Sequence, residues 1–358
     1  MTATAPSSQP FAEAPFIVIW EMTRACALAC VHCRAEAIPH RHPDELTTDE
    51  AKRLVDRVAA FGPHRPLFVL TGGDPLRRRD VAEVVRHGVE RGLFVSLTPS
   101  GTAAVTRKRL EEVQAAGLAR LAVSLDGSTA EAHDAFRRVR GSYGYTMRIA
   151  ADARELGLPL QINTTVARQT VDDLPAIAAA VERLGVVLWS LFFLIPVGRA
   201  RAAQALDADM IERVLEWAAD LQTSTPFGIK TTEAPHYHRV LATHATTTTR
   251  PPALGSRGVG RAGRAVTDGN GFVFVDHLGT ICPSGFLPLA AGNVRTDDLV
   301  RVYRNHPLFR SLRNPDGFGG RCGQCEFRHR CGGSRARAYA ATGDPLAADP
   351  GCILVTAA

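Results

Sequence analysis

The sequence predicts an α/β fold in which a mostly parallel sheet is covered by helices, and three observations carry that prediction. Short β-rich runs alternate with amphipathic helical stretches from residue 16 to about residue 195. The runs are apolar throughout rather than alternating, as strands covered on both faces are. Gly92, Gly117, Gly157 and Gly185 each stand just before a β-rich run, where a helix must stop.

The candidate strands cover 16–21, 67–71, 94–98, 120–125, 161–166 and 187–194. The helical patterns between them cover 48–60, 79–91, 106–116, 143–156 and 173–184. Six βα units in a row imply a barrel or a doubly wound sheet, and in both the functional residues sit in loops at the strand C-terminal ends. A longer helix over about 208–223 follows. Residues 242–265 are rich in Thr, Pro, Gly and Arg and read as a mobile linker or a loop over the active site. Residues 272–276 and 280–282 read as a small hairpin turned at Leu278–Gly279. The rest, to Cys352, has too little apolar periodicity to fold by burial alone, so a metal cluster is a plausible organiser.

With 358 residues, 45% of them hydrophobic and 22% charged, the composition is that of a soluble globular protein. No apolar run reaches the roughly 20 residues of a membrane helix. Residues 1–15 read as a disordered leader without the charged start and apolar middle of a signal peptide, so a cytoplasmic location is expected. The net charge of +6 comes almost wholly from arginine, since Lys52, Lys108 and Lys230 are the only lysines. The basic residues are spread along the chain without interleaved aromatics, which argues against a nucleic-acid partner. Arginines lining a pocket for an acidic substrate are the better account, because a guanidinium binds a carboxylate bidentately.

The eight cysteines fall into two groups at opposite ends of the chain, which suits metal or cluster ligation better than disulfides. Cys26, Cys30 and Cys33 have the spacing C-x3-C-x2-C directly after the first strand. Three thiolates on one loop can bind three irons of a cubane and leave the fourth open, as a catalytic metal site requires. A zinc loop, the alternative, would want a fourth Cys or His nearby.

This motif and its place resemble the radical SAM (S-adenosylmethionine) superfamily, and the resemblance covers most of the chain. It implies a partial (βα)6 TIM-like barrel, here over 16–240, and a [4Fe–4S] cluster whose fourth iron SAM chelates. The implied chemistry is reductive cleavage of SAM to a 5′-deoxyadenosyl radical that abstracts hydrogen, with an electron donor such as flavodoxin or ferredoxin. His32, before the third cysteine, takes a position that is usually aromatic and packs near adenine. Thr71-Gly72-Gly73-Asp74-Pro75 resembles the GGE motif that receives the SAM amino group, with Asp74 one methylene shorter than the usual Glu. Ser124 and Asp126, and Asn163, Thr165 and Arg168, match segments that contact SAM ribose or carboxylate. Ser124, Asp126 and Asn163 equally suit helix caps or turns. Ser100 is a further polar candidate at the barrel mouth, and residues 193–198 resemble the adenine-side backbone.

Cys322, Cys325, Cys331 and Cys352 form the second group, with Cys282 on the hairpin as a fifth candidate. The pattern resembles the SPASM/twitch extension of radical SAM enzymes. It implies a small irregular C-terminal iron–sulfur domain over 272–358, joined by 241–271, with one auxiliary [4Fe–4S] cluster on four of the five cysteines. A structural zinc site is the alternative. The segments 331–339 and 342–344 are similar to the heme-biosynthesis branch, which acts on tetrapyrrole propionates in the alternative heme and heme d1 pathways. That branch has Cys where this chain has Ser334 and Glu233, which puts a second auxiliary cluster in doubt. Within 232–237, His236 is a candidate acid–base group or axial ligand, or else a packed loop histidine. Arg199, Arg201, Arg335 and Arg337 are candidates to pair with substrate carboxylates, the last two equally with the cluster surroundings. The substrate expected is a carboxylate-rich, heme-like molecule undergoing oxidative decarboxylation or side-chain modification. A ribosomally made peptide is the alternative.

Overall fold

The computed structural model describes residues 11–63, 65–244 and 265–356. Seven parallel strands form the body of one sheet: β1 (Ile17–Glu21), β2 (Leu67–Thr71), β3 (Phe94–Leu97), β4 (Arg120–Ser124), β5 (Leu160–Val166), β6 (Leu188–Phe193) and β7 (Gly228–Thr232). They are hydrogen-bonded in sequence order. Helices α1 (Thr48–Ala59), α2 (Val81–Glu90), α3 (Arg107–Ala115), α4 (Ala130–Arg137), α5 (Ser142–Glu155), α6 (Leu174–Arg183), α7 (Ala208–Ser224) and α8 (Tyr237–His244) follow or connect them. The glycines expected to end helices all have positive φ, from 68° to 94°, a conformation that an L side chain resists.

The two faces of the sheet differ, and this difference makes the site. Val18, Trp20, Phe68, Leu70, Val95, Leu121 and Val123 face outward and are buried with Leu54, Val55, Val84, Leu110 and Ile149 of the helices. The alternate residues face inward onto one cavity: Ile17 and Ile19, Val69 and Thr71, Ser96 and Thr98, Ala122 and Ser124, Asn163 and Thr165. A sheet whose alternate residues from successive strands meet one interior space has curled into an open barrel.

Two elements of the barrel escape the sequence pattern. β7 carries Gly228 and Lys230, residues poor in strands, yet its register with β6 is regular from Leu188↔Gly228 to Phe192↔Thr232. The short, polar α4 is started by its Thr129 cap.

The expected hairpin is present as β8 (Phe272–Val275) and β9 (Thr280–Cys282), followed by the short β10 (Gly292–Asn293). It does not begin a new sheet, because β8 pairs in parallel with β1 (Ile17↔Phe272 to Trp20↔Val275) and extends the barrel sheet. Helices α9 (Leu299–Asn305), α10 (Pro307–Leu312), α11 (Gly320–Gln324) and α12 (Arg335–Thr342) follow. Tyr303 and Phe309 join the main core. Most of the expected leader and residues 245–264 of the expected linker lie outside the described residues. The described end of the linker, from Ala265 to Asp268, lines the cavity. Among the described residues no helix is long and apolar enough to cross a membrane.

Candidate active site

The loop after β1 is tied into a closed unit. The Cys26 N–H donates to the Ile38 carbonyl at 2.9 Å, so Cys26, Cys30 and Cys33 all lie within one stapled turn of chain. The glycine turn after β2 docks on the base of this loop, with the Gly73 N–H on the Thr23 carbonyl at 2.7 Å and the Asp74 N–H on the Ala25 carbonyl at 2.8 Å. A Cβ at Gly73 would lie 2.6 Å from the carbonyl oxygens of both Arg24 and Ala25, so only glycine permits this approach.

All three cysteines line the barrel cavity, which has a volume of about 680 Å³. Each sulfur has a donor. The Leu28 N–H lies 3.3 Å from Cys26 Sγ, the Ala37 N–H 3.4 Å from Cys33 Sγ, and the Arg137 guanidinium 3.6 Å from Cys30 Sγ. Burial pushes the Cys26 thiol up, which opposes a bare thiolate there; a metal ion deprotonates a coordinating thiol outright. Three donor-supported sulfurs on one cavity wall fit three corners of an iron–sulfur cubane.

The expected cofactor contacts separate into two sets. Gly72, Gly73, Ser100, Ser124, Asn163 and Thr165 line the cavity, with Ser124 and Asn163 side by side in the sheet register. His32 lines it as well and stacks on Phe136 with ring centroids 4.4 Å apart. Burial lowers the His32 pKa to about 3, so its ring is neutral.

Asp74, Asp126 and Arg168 are corrections, because none of them lines the cavity. The Asp74 carboxylate is buried, capping the Leu76 N–H at 3.2 Å and accepting from Thr102 Oγ1 at 2.9 Å. Asp126 is buried against Arg137 and accepts the Thr165 N–H at 2.6 Å. Arg168 is half exposed and pairs with Asp207 at 3.3 Å. In each case a local cap or ion pair takes the polar group that the motif assigned to SAM.

The candidate acid–base and carboxylate-binding residues are also redistributed. His236 is buried beside Asp349, with Nε2 3.0 Å from Oδ2, at the second cysteine group rather than in the cavity. The histidine that faces the cavity is His238, which burial and Arg330 keep neutral, with a pKa of about 4. The Arg199 N–H donates to the Cys33 carbonyl at 3.0 Å, and its side chain does not line the cavity. Arg201 is exposed. Arg335 is fully buried, stacked 4.4 Å over Phe318 and donating to the Ala347 carbonyl at 2.7 Å. Arg337 binds Asp349 at 3.2 Å and the Glu233 carbonyl at 2.6 Å. Arg335 and Arg337 thus serve the C-terminal scaffold, the alternative role open to them in the sequence.

Cys322, Cys325, Cys331 and Cys352 gather round one small cavity with His236, far apart in sequence but joined by the fold. The Asp349 N–H lies 3.3 Å from Cys322 Sγ and the Gly333 N–H 3.4 Å from Cys331 Sγ. Cys282 does not line this cavity; it is buried on β9, where burial and Asp276 push its thiol up to about 12. Among the described residues no three His, Cys, Asp or Glu side chains converge tightly enough to hold a single ion.

Sequence reading missed Arg137, Arg34 and Glu233 as parts of the site. Arg34 bridges Glu21 at 2.5 Å and lies over Phe274; burial opposes the charge on Glu21, but Arg34 and His277 outweigh it and lower its pKa. Glu233 adopts φ 59°, and its Oε2 accepts from Ser334 Oγ at 2.5 Å. Burial and the neighbouring Asp268 raise its pKa well above the usual carboxylate range.

Comparison with known proteins agrees with this geometry. The family model described as "Radical SAM superfamily" matches residues 20–181. The chain is 39% identical over 341 residues to the AdoMet-dependent heme synthase of Methanosarcina barkeri, covering 95% of this chain and 97% of that protein. It is 30% identical over 348 residues to the mycofactocin maturase MftC of Mycobacterium ulcerans, covering 95% and 88%. Among solved structures it resembles anSMEcpe with bound AdoMet, with a TM-score of 0.71 over 96% of this chain and 95% of the other, at 15% identity, a likeness of fold alone. The chain belongs to the radical SAM superfamily, as an enzyme of its heme-synthase-like branch.

Proposed function

We propose that the enzyme modifies the propionate side chains of a heme-like tetrapyrrole, by oxidative decarboxylation or a related side-chain oxidation. When bound, the [4Fe–4S] cluster and SAM supply a 5′-deoxyadenosyl radical able to take hydrogen from an unactivated carbon. The chain's own residues hold, orient and enclose. Cys26, Cys30 and Cys33 would hold the cluster, while Leu28, Ala37 and Arg137 donate to their sulfurs. Gly72 and Gly73 bring backbone to the cavity wall, and Ser124, Asn163 and Thr165 present polar groups opposite.

The observation that carries the reading is the two-sided cavity. Its wall from β8, β1 and β2 is apolar, with Phe272, Phe274, Ile17, Ile19, Leu67 and Val69. Its wall from β4, β5 and β7 is polar. A flat apolar macrocycle with carboxylate arms suits such a space, whose volume is in the range of small-molecule sites. The similarity to AdoMet-dependent heme synthases points the same way.

We also infer one auxiliary [4Fe–4S] cluster on Cys322, Cys325, Cys331 and Cys352, and delivery of electrons by a flavodoxin- or ferredoxin-like donor. Four thiolates round one small cavity suit a cubane with no iron left open, and iron and zinc analysis separates this from a zinc site.

A peptide substrate is the second reading, favoured by the likeness to the maturase MftC. The deciding experiment is anaerobic reconstitution followed by iron counting and a 5′-deoxyadenosine assay. The expected result is a visible absorption change on adding an iron porphyrin bearing propionates, together with loss of carbon dioxide or of side-chain hydrogen. Deoxyadenosine formation with no binding of any porphyrin would turn the assignment toward the peptide.

A further inference from the structure

We propose that Arg120 and Lys230 form a carboxylate-binding corner inside the barrel, which anchors a non-reacting propionate of the tetrapyrrole and so orients the macrocycle. The inference rests on the substrate reading above and assigns that substrate its anchor.

Arg120 opens β4 and is 5% exposed. One guanidinium nitrogen donates to Gln161 Oε1 at 3.1 Å, while Nη2 is buried with no partner. Lys230 comes from β7, in the same sheet row as Ser190 and Asn163, and also lines the cavity. Arg120 and Lys230 line the same cavity, and the Arg120 charge adds to burial in disfavouring the charged amine of Lys230. Among the described residues no carboxylate pairs with either.

A buried Arg120 and a half-buried Lys230 facing one cavity without a counter-ion are costly, because low-dielectric surroundings strengthen their repulsion and reduce their hydration. An incoming anion offsets both costs. The donor set suits a carboxylate: the fork of Arg120, fixed on one side by Gln161, leaves an oriented N–H, and the Lys230 ammonium adds a point charge from the facing strand. The anion must carry an apolar body, because Phe272, Phe274 and Ile17 line the same cavity. Arg120 starts four residues before Ser124, about 13 Å along the strand from the end that faces the cluster loop. The Arg120 end of the corner thus lies away from the strand end that faces the cluster loop, and a carboxylate held on Arg120 sets pose rather than performing chemistry.

The test is an absorbance titration of the full-length, anaerobically reconstituted enzyme with an iron porphyrin bearing four propionates, and with the same porphyrin as its tetramethyl ester. The wild type should bind the acid about ten- to a hundredfold more tightly than the ester, as expected for a hydrogen bond to a charged group. Lys230→Met should weaken acid binding by a similar factor and leave ester binding unchanged, and Lys230→Arg should recover most of it. Arg120→Gln should act in the same direction. Equal acid affinity in wild type and Lys230→Met, or equal loss of acid and ester, overturns the proposal. If the wild type binds neither porphyrin, the substrate reading itself fails and the anchor falls with it.

Discussion

Arg137 donates to Cys30 Sγ at 3.6 Å through one terminal nitrogen, and its other terminal nitrogen is held by Asp126. The loop after β4 and the last turn of α4 are thereby coupled to the cysteine loop after β1. Asp126 also accepts the Thr165 N–H at 2.6 Å, so the cysteine loop, the β4 loop and strand β5 meet at one buried ion pair.

Breaking that pair from one side should be costly. Arg137→Gln leaves the Asp126 carboxylate buried without its cation, and the expected loss is about 3–5 kcal/mol. The double variant Asp126→Asn, Arg137→Gln should recover most of it. Denaturant unfolding of the two variants beside the wild type measures the difference; equal loss in both would show that the pair is not coupled.

The two cysteine groups should lose iron independently. The wild type is expected to hold about eight irons, the sum of two cubanes. Alanine at Cys26, Cys30 or Cys33 should remove about four and abolish deoxyadenosine formation. Alanine at Cys322, Cys325, Cys331 or Cys352 should destabilise the other four, while Cys282→Ser should leave the count unchanged. Iron and zinc analysis of the reconstituted variants checks this, and four irons plus one zinc in the wild type would contradict it.

Gly73→Ala should impair SAM handling without unfolding the barrel. The added methyl meets two backbone carbonyls at 2.6 Å, which cannot rotate away as a side chain would. Overpacking of this kind costs about 1–3 kcal/mol, and here the strain falls on the base of the cysteine loop. The expected outcome is a drop of at least about tenfold in SAM cleavage per intact cluster. An unchanged KM for SAM and an unchanged rate would refute it.

Porphyrin affinity should fall as the medium becomes alkaline. Burial and Arg120 lower the Lys230 pKa to about 8, so the unliganded enzyme loses this cation as pH rises through that value. A bound carboxylate favours the charged amine and raises its pKa. Binding therefore takes up a proton above about pH 8, and affinity weakens up to about tenfold per pH unit there. Lys230→Met should lack this step. A flat profile between pH 7 and 9 in the wild type would rule the effect out.

Much of the barrel was legible because its strands and helix stops are written in local chemistry. The apolar runs gave β1 to β6, and the positive-φ glycines ended the helices where expected. The C-x3-C-x2-C spacing was legible for the same reason, since three ligands on one short loop need no long-range contact. β7 was not, because Gly228 and Lys230 are unfavourable in strands and only pairing with β6 overrides them.

The sequence by itself determined the cluster loop, the order of the barrel and the kind of chemistry, all of which rest on residues close in the chain. Tertiary structure alone decided which polar groups face the cavity. Asp74 and Asp126 turned away from the cavity to local partners, His238 replaced His236 at the cavity wall, and Arg120 and Lys230 came to line one cavity from β4 and β7. The physical reason is that a buried polar group goes to whichever partner satisfies it, and strand curvature, which no local pattern records, sets what lies within reach.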